Sequence, residues 1–145
     1  MTIALREAEK AALEDEVPVG CVVVKDGRIV AKAHNKKEKK NSATRHAEIE
    51  ALEKAAAATG NWWLEGAEVF VTLEPCAMCA GAMINARIAK LYFGAYDLKY
   101  GCCGSIYDLP SDTRFNHNFP VTGGIMAAEC AARLSEYFAA KRKKQ

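Results

Sequence analysis

Two short motifs constrain what this chain can fold into more than any other feature of the sequence. The first is His46-Ala47-Glu48 and the second is Pro75-Cys76-Ala77-Met78-Cys79, each at the predicted start of a helix. A C-x-x-C spacing lets two thiolates at one helix start converge on a single tetrahedral ion, and His46 can supply a third ligand from a second helix. The fold must therefore bring two helix starts to one point.

Three protein ligands would leave a fourth position for water, whereas a structural zinc site is normally closed by a fourth His or Cys. Another cysteine could close the site, and that alternative stays open. The remaining cysteines form no second C-x-x-C, and none lies beside His46 in the sequence: Cys21, Cys102, Cys103 and Cys130. Glu48, two residues after the histidine, is the natural general acid and base for a metal-activated water.

Each motif alone carries little information. A His-x-Glu triplet is ordinary at a helix start, because the helix dipole favours Glu in the first turn. A lone Pro-Cys-x-x-Cys fits a redox pair, a zinc knuckle or buried thiols. The two together in this order are the pattern of zinc-dependent nucleobase deaminases. The combination therefore predicts bound Zn²⁺ and hydrolytic chemistry.

The length and composition indicate one domain over residues 1–145, large enough to bury a core over a sheet. No signal-peptide pattern precedes the six cysteines, so a reducing cytoplasm is the expected setting. No apolar run reaches the length of a membrane span. The formal net charge is only +2, so any nucleic-acid binding must depend on where the charges lie.

Hydrophobic periodicity predicts an α/β fold with a mixed sheet. The expected helices are Thr2 to about Glu16, His46 to about Thr59, one opening at Pro75, and one after Gly123-Gly124. The expected strands are Cys21–Val24, Arg28–Ala33, Val69–Leu73, Ile88–Phe93 and a short extended piece at 119–121. A helix between the third and fourth strands indicates a parallel crossover, which places both motifs at the carboxyl ends of strands.

Beyond the two motifs, nearly the whole chain resembles the bacterial tRNA-specific adenosine deaminases of the cytidine-deaminase-like superfamily. The matching segments are Val17-Pro18-Val19-Gly20, His46-Ala47-Glu48, Thr72 to Met83, Phe93-Gly94-Ala95, Asp97, Lys99, Gly104-Ser105, Asn116-His117 and Glu129-Cys130. The resemblance implies a three-layer α/β/α fold around a mixed five-stranded sheet. It also implies a homodimeric hydrolase that converts the wobble adenosine of a tRNA anticodon to inosine with a zinc-activated water.

The resemblance assigns roles to the residues of the two motifs. His46, Cys76 and Cys79 would bind zinc. Glu48 would move the protons, first to N1 of the adenine ring and then to the leaving amine.

It also assigns residues to the substrate. Asn35 would contact the target nucleoside, and Asp97 the sugar-phosphate region near the flipped base. Val19 would form a wall of the base pocket, and the backbone near Ala47 could approach the substrate closely.

Exposed basic residues are the candidate contacts to the phosphates of an anticodon stem-loop: Lys99, Lys141 and Arg142. Some residues depart from the family pattern near the expected RNA-facing rim, namely Trp62, Trp63, Tyr96, Cys102 and Cys103. These departures bear on which RNA context is preferred rather than on the reaction.

Two other functions remain open on the sequence. A deaminase of the same fold could act on a free nucleobase or nucleoside such as guanine, cytosine or cytidine. A non-catalytic zinc protein could serve as the partner of an active subunit, but such a protein would be expected to lose the acid/base carboxylate, and Glu48 is present.

Overall fold

A computed structural model describes residues 1–144 as four helices and five strands around one sheet. The helices are α1 (Thr2–Leu13), α2 (Ala47–Thr59), α3 (Ala77–Ala86) and α4 (Ala127–Lys143), with a 3₁₀ turn at Leu109–Ser111. The strands are β1 (Gly20–Lys25), β2 (Arg28–His34), β3 (Glu68–Leu73), β4 (Lys90–Ala95) and β5 (Val121–Thr122). The predicted α/β class with a mixed five-stranded sheet is confirmed.

The sheet has the order β2-β1-β3-β4-β5. β1 and β2 form an antiparallel hairpin. On its other side, β1 pairs antiparallel with β3. β3, β4 and β5 run parallel, and α3 makes the crossover between β3 and β4. The carboxyl ends of β3 and β4 therefore lie at the same edge of the sheet as the start of β1 and the end of β2.

Helices cover both faces of the sheet, because side chains alternate along each strand. Cys21 and Val23 of β1 belong to the core that contains Ala51 and Leu52 of α2. On the opposite face of the sheet, α1 contacts β1 and α4 contacts β4. The contact with α1 is close at Gly20, where a Cβ atom would lie 1.9 Å from the carbonyl oxygen of Ala4. A side chain there would push α1 off the sheet.

The helix α1 ends three residues before the predicted boundary near Glu16. The amide of Asp15 donates to the Ala12 carbonyl and that of Glu16 to the Ala11 carbonyl, while Asp15 has φ of 59°. This is a Schellman ending with an aspartate in the left-handed position that glycine usually occupies. Glu16 is thereby turned inward, where it is fully buried.

The strand β4 begins two residues later than predicted, at Lys90, and continues through Gly94 instead of ending there. Ile88 lies in the turn that closes the end of α3, since its amide donates to the Met83 carbonyl and Arg87 has φ of 62°. Gly94 leaves room for α4, because a Cβ at this position would lie 2.3 Å from the Sγ atom of Cys130.

The basic carboxyl end is helical rather than frayed through Lys143. Lys141 lies 3.5 Å from the Asp15 carboxylate and over the ring of Tyr137. Within residues 1–144, none of the helices combines the length and the apolar character needed to cross a membrane.

Candidate active site

The three predicted metal ligands converge at one point. His46 and Cys76 are the residues immediately before α2 and α3, and Cys79 follows in the first turn of α3. The His46 Nδ1 atom lies 3.7 Å from Cys76 Sγ and 3.6 Å from Cys79 Sγ, and the three donor atoms lie within 4.8 Å of one another. Zn–N and Zn–S bonds of ordinary length at a tetrahedral angle require an N···S distance of about 3.6 Å. The donor set and its spacing therefore suit a zinc ion.

The two thiols are not equivalent, because Cys79 donates a hydrogen bond that stabilises Cys76 as a thiolate. A hydrogen bond from Cys79 is the main reason that the pKa of Cys76 falls to about 4, and the nearby His46 lowers it further. The same bond raises the pKa of Cys79, which is fully buried. Both thiols lie at the start of α3, where the helix dipole favours negative charge.

Glu48 is the buried carboxyl group of the site. It lies in the first turn of α2 and is only 4% exposed. Burial raises its pKa to about 7, and the neighbouring His46 opposes part of this rise. A carboxyl group with this pKa can both hold and release a proton near neutral pH.

His46, Glu48 and Cys76 line one side of a pocket of about 490 Å³ at the carboxyl ends of β3 and β4, while Cys79 is fully buried. The pocket is bounded by both helix starts and by the segments that follow the strands. Its lining residues are Val17, Val19, Asn35, Lys37, His46, Ala47, Glu48, Leu73, Glu74, Cys76, Asp97 and Tyr100. The volume suits a purine nucleoside better than a large cofactor.

All four predicted substrate-binding residues line this pocket. Val19 and Ala47 are buried, and Ala47 is the first residue of α2. Asn35 is largely engaged within the protein, because its Oδ1 accepts the Lys37 amide and its Nδ2 donates to the Val17 carbonyl. Its side chain is held in place before any substrate arrives.

Asp97 lies at the pocket on the loop after β4. Its Oδ1 atom accepts hydrogen bonds from the amides of Lys99 and Tyr100, both at 3.1 Å. This turn directs Tyr100, which is 69% exposed, to the rim of the pocket.

The three predicted RNA contacts are not brought into the pocket. Lys99 is exposed on the loop beside Asp97, while Lys141 and Arg142 are exposed at the end of α4. Lys141 is also engaged with Asp15, so its charge is partly paired.

The sequence interpretation assigned no role to two residues that line the pocket, Glu74 and Tyr100. Glu74 stands immediately before the second motif, and a carboxylate between a strand and a proline indicates no function by itself.

Comparison with known proteins agrees with this geometry. Residues 1–128 match the family model described as MafB19-like deaminase. The chain is 46% identical over 145 residues to the tRNA-specific adenosine deaminase of Bacillus subtilis (strain 168), covering 100% of this chain and 90% of the relative.

Two solved structures share the fold. One, from a study of A-to-I editing by tRNA:A34 deaminases at the wobble position, has a TM-score of 0.89 and 43% identity, over 92% of this chain and 97% of the other. The guanine deaminase of Bacillus subtilis has a TM-score of 0.63 and 33% identity, over 66% of this chain and 61% of the other. The full-length match in sequence and the agreement in structure lead to one assignment: the chain belongs to the family of tRNA-specific adenosine deaminases.

Proposed function

We propose that the protein hydrolyses the wobble adenosine of a tRNA anticodon to inosine and ammonia. The observation that carries this proposal is one pocket lined by His46, Cys76 and the buried carboxyl group of Glu48, with the third donor atom within 4.8 Å of the first two. The full-length similarity to tRNA-specific adenosine deaminases supports the choice of substrate. Residues 1–145 would form a single deaminase domain.

His46, Cys76 and Cys79 are the proposed zinc ligands. Zinc bound by them supplies a water molecule of lowered pKa as the nucleophile. The separation of the His46 Nδ1 atom from both sulfur atoms supports this assignment, as does the position of all three residues at helix starts.

Glu48 is the proposed catalytic acid and base. Its carboxylate would take a proton from the attacking water and donate it to N1 of the adenine ring. It would then take the proton of the new hydroxyl group at C6 and donate it to the amine that leaves C6. Its burial supports this role, because solvent is kept away from the proton that it transfers. Its neighbour Ala47 has no bulk beyond Cβ, so the base can approach the start of α2.

Asn35, Asp97 and Val19 are proposed to hold the nucleoside. Val19 would pack on the base. Asn35, already fixed by its bonds to Val17 and Lys37, would direct the second proton of its Nδ2 toward the nucleoside. Asp97 binds its own loop through Oδ1, so we assign its Oδ2 to the ribose region.

Anticodon loops are single-stranded, and such RNA is bound through base stacking and phosphate contacts. The exposed ring of Tyr100 lines the pocket and is suited to stacking on a flanking base. Lys99, Lys141 and Arg142 would contact phosphates, supported by their exposure.

A homodimer is proposed as the working form. A groove between α2 and α3 is lined by apolar side chains, among them Leu52, Trp62 and Ala86. Trp62 is 65% exposed there, which is a large apolar surface to leave in water. The mass in solution tests this proposal: about twice the chain mass is expected, with a shift toward monomer in Trp62→Glu. A monomeric wild-type protein would refute it.

The tRNA substrate and the six free thiols also support a reducing, cytoplasmic setting.

Deamination of free guanine is the second candidate, favoured by the likeness to a guanine deaminase structure. Ammonia release from an anticodon stem-loop, from free guanine and from free cytosine, measured at equal concentrations, distinguishes the two. We expect release from the stem-loop alone. Release from guanine but not from the stem-loop would make the second candidate correct.

A further inference from the structure

Glu74 lies at the proposed active site but has no role in the proposed chemistry. It follows the last residue of β3, lines the pocket, and is only 2% exposed. Its Oε1 atom accepts the amide of Asp97 at 3.1 Å and the hydroxyl of Ser105 at 2.5 Å. Its Oε2 atom accepts the amides of Cys103 and Ser105, at 3.1 Å and 3.0 Å.

These four hydrogen bonds use the carboxylate fully. An ionised carboxylate has only acceptor sites, about two on each oxygen, and each oxygen here accepts two donors. The group has no acceptor site left for a substrate. Glu74 is therefore suited to hold the protein itself and not to touch the reacting atoms.

All four donors come from residues 97–105, which we call the Asp97 loop. The loop wraps tightly around the carboxylate: a Cβ atom on Gly101 would lie 2.3 Å from the Glu74 Cδ atom and 2.4 Å from its Oε2. The amide of Cys102 also donates to the carbonyl of Pro75, the residue that precedes Cys76. The loop is thus bound on both sides to the residues that lead into α3.

We propose that Glu74 is a positioning residue that fixes the Asp97 loop against the start of α3. By this contact the proposed substrate residue Asp97 and the proposed metal ligand Cys76 keep a constant spacing. The loop anchoring stands on the hydrogen bonds alone, whereas its consequence for catalysis rests on the proposed function.

The substitution Glu74→Gln tests the proposal with little change in size. If the side-chain nitrogen of the new glutamine takes the place of Oε2, it lies opposite two backbone N–H groups. It cannot accept a hydrogen bond from either of them. If it replaces Oε1, it faces the Asp97 amide and the Ser105 hydroxyl, and only the hydroxyl can turn to accept. The second orientation is less costly, so the bond to the Asp97 amide is the one expected to be lost.

We expect faster hydrogen exchange in Glu74→Gln confined to residues 97–105, by about tenfold or more, the factor that one hydrogen bond to a charged group represents. The KM for an anticodon stem-loop should rise by a similar factor, while kcat stays within about threefold of wild type and zinc content is unchanged. Ser105→Ala removes a single bond and should produce the same pattern more weakly. Glu65→Gln, a change on an exposed loop, is the control and should match wild type.

The proposal would be overturned if Glu74→Gln had the same KM as wild type and the same rate of hydrogen exchange in residues 97–105. Faster exchange throughout the chain with loss of zinc would also overturn it, since Glu74 would then be a general structural residue. If Glu74→Gln does not fold, the Ser105→Ala result decides by the same two criteria. A wild-type protein that makes no inosine would refute the proposed function, while the exchange measurement would still decide whether Glu74 holds the loop.

Discussion

Glu48 is the residue on which the proposed chemistry depends most. We predict that Glu48→Gln lowers turnover by about 10²- to 10⁴-fold, the usual contribution of a positioned acid and base. The substitution keeps the volume of a side chain that is only 4% exposed, so folding and zinc content should stay near wild type. Steady-state rates and elemental analysis measure the two effects. Glu65→Gln serves as the exposed control, and substantial residual turnover in Glu48→Gln would refute the assigned role.

Cys79 tests the ligand set. We predict that Cys79→Ser loses zinc together with activity, because a hydroxyl is a far poorer zinc ligand than a thiolate. Cys130→Ala is the matched control: this thiol is also buried, but it packs against Gly94 of β4, and its replacement should keep zinc. Full zinc occupancy in Cys79→Ser, measured by elemental analysis, would contradict the assignment.

Sequence reasoning was strongest for single residues whose chemistry is local. The spacing of Cys76 and Cys79 on one helix start predicted convergence without any knowledge of the fold. Glu74 was missed for the opposite reason: its partners are 23 to 31 residues away in the chain, and no local pattern shows that a loop will close on it.

The contact between α1 and β2 is held by charged groups and should make stability depend on pH. Glu7 is buried, and its carboxylate accepts a hydrogen bond from Lys10 at 2.7 Å and lies 3.3 Å from His34 Nδ1. Burial alone would raise the pKa of Glu7, but these hydrogen bonds outweigh it and lower the pKa below its usual value. A bond from His34 likewise lowers the pKa of Glu14.

A carboxyl group whose pKa is lowered by folding stabilises the protein above its unfolded pKa, and this contribution is lost as the pH falls through the folded pKa. We predict that Glu7→Gln reduces the free energy of unfolding at pH 7 by about 1–2 kcal/mol. The difference from wild type should shrink below about pH 4, where Glu7 of the wild type is protonated as well. Urea unfolding over a pH series measures this. Glu38→Gln, at an exposed position, should follow the wild-type curve, and a difference for Glu7→Gln that persists at low pH would count against the explanation.

Elements were predicted more securely than their ends. The segments Arg28–Ala33 and Val69–Leu73 located β2 and β3 to within one residue at each end, since strands have local signatures. The predicted end of α1 was wrong because Asp15 adopts a left-handed backbone conformation. Glycine is the residue that usually indicates such a helix end, and an aspartate does not. The start of β4 was misplaced because Ile88 is as suitable for a strand as for the end of a helix.

At the scale of the whole molecule, the net charge of +2 means that RNA binding must come from a few placed cations. We predict that truncation after Ala140, which removes Lys141, Arg142, Lys143 and Lys144, flattens the salt dependence of RNA binding. Each lost phosphate contact should change the slope by about 0.7 to 0.9. Arg28→Gln is the control, because Arg28 lies at the hairpin turn, at the end of the sheet away from Asn35. An unchanged slope after truncation would mean that the end of α4 takes no part in binding.

The central claim is that this fold places one adenosine of an anticodon loop against the zinc ligands and Glu48. Sequencing an anticodon stem-loop for A-to-I conversion after incubation with the protein tests it most directly. We predict conversion at the wobble adenosine alone with the wild-type protein, and a rate lower by about 10²-fold or more with Glu48→Gln. An unmodified wobble adenosine, with zinc bound and the protein folded, would contradict the account.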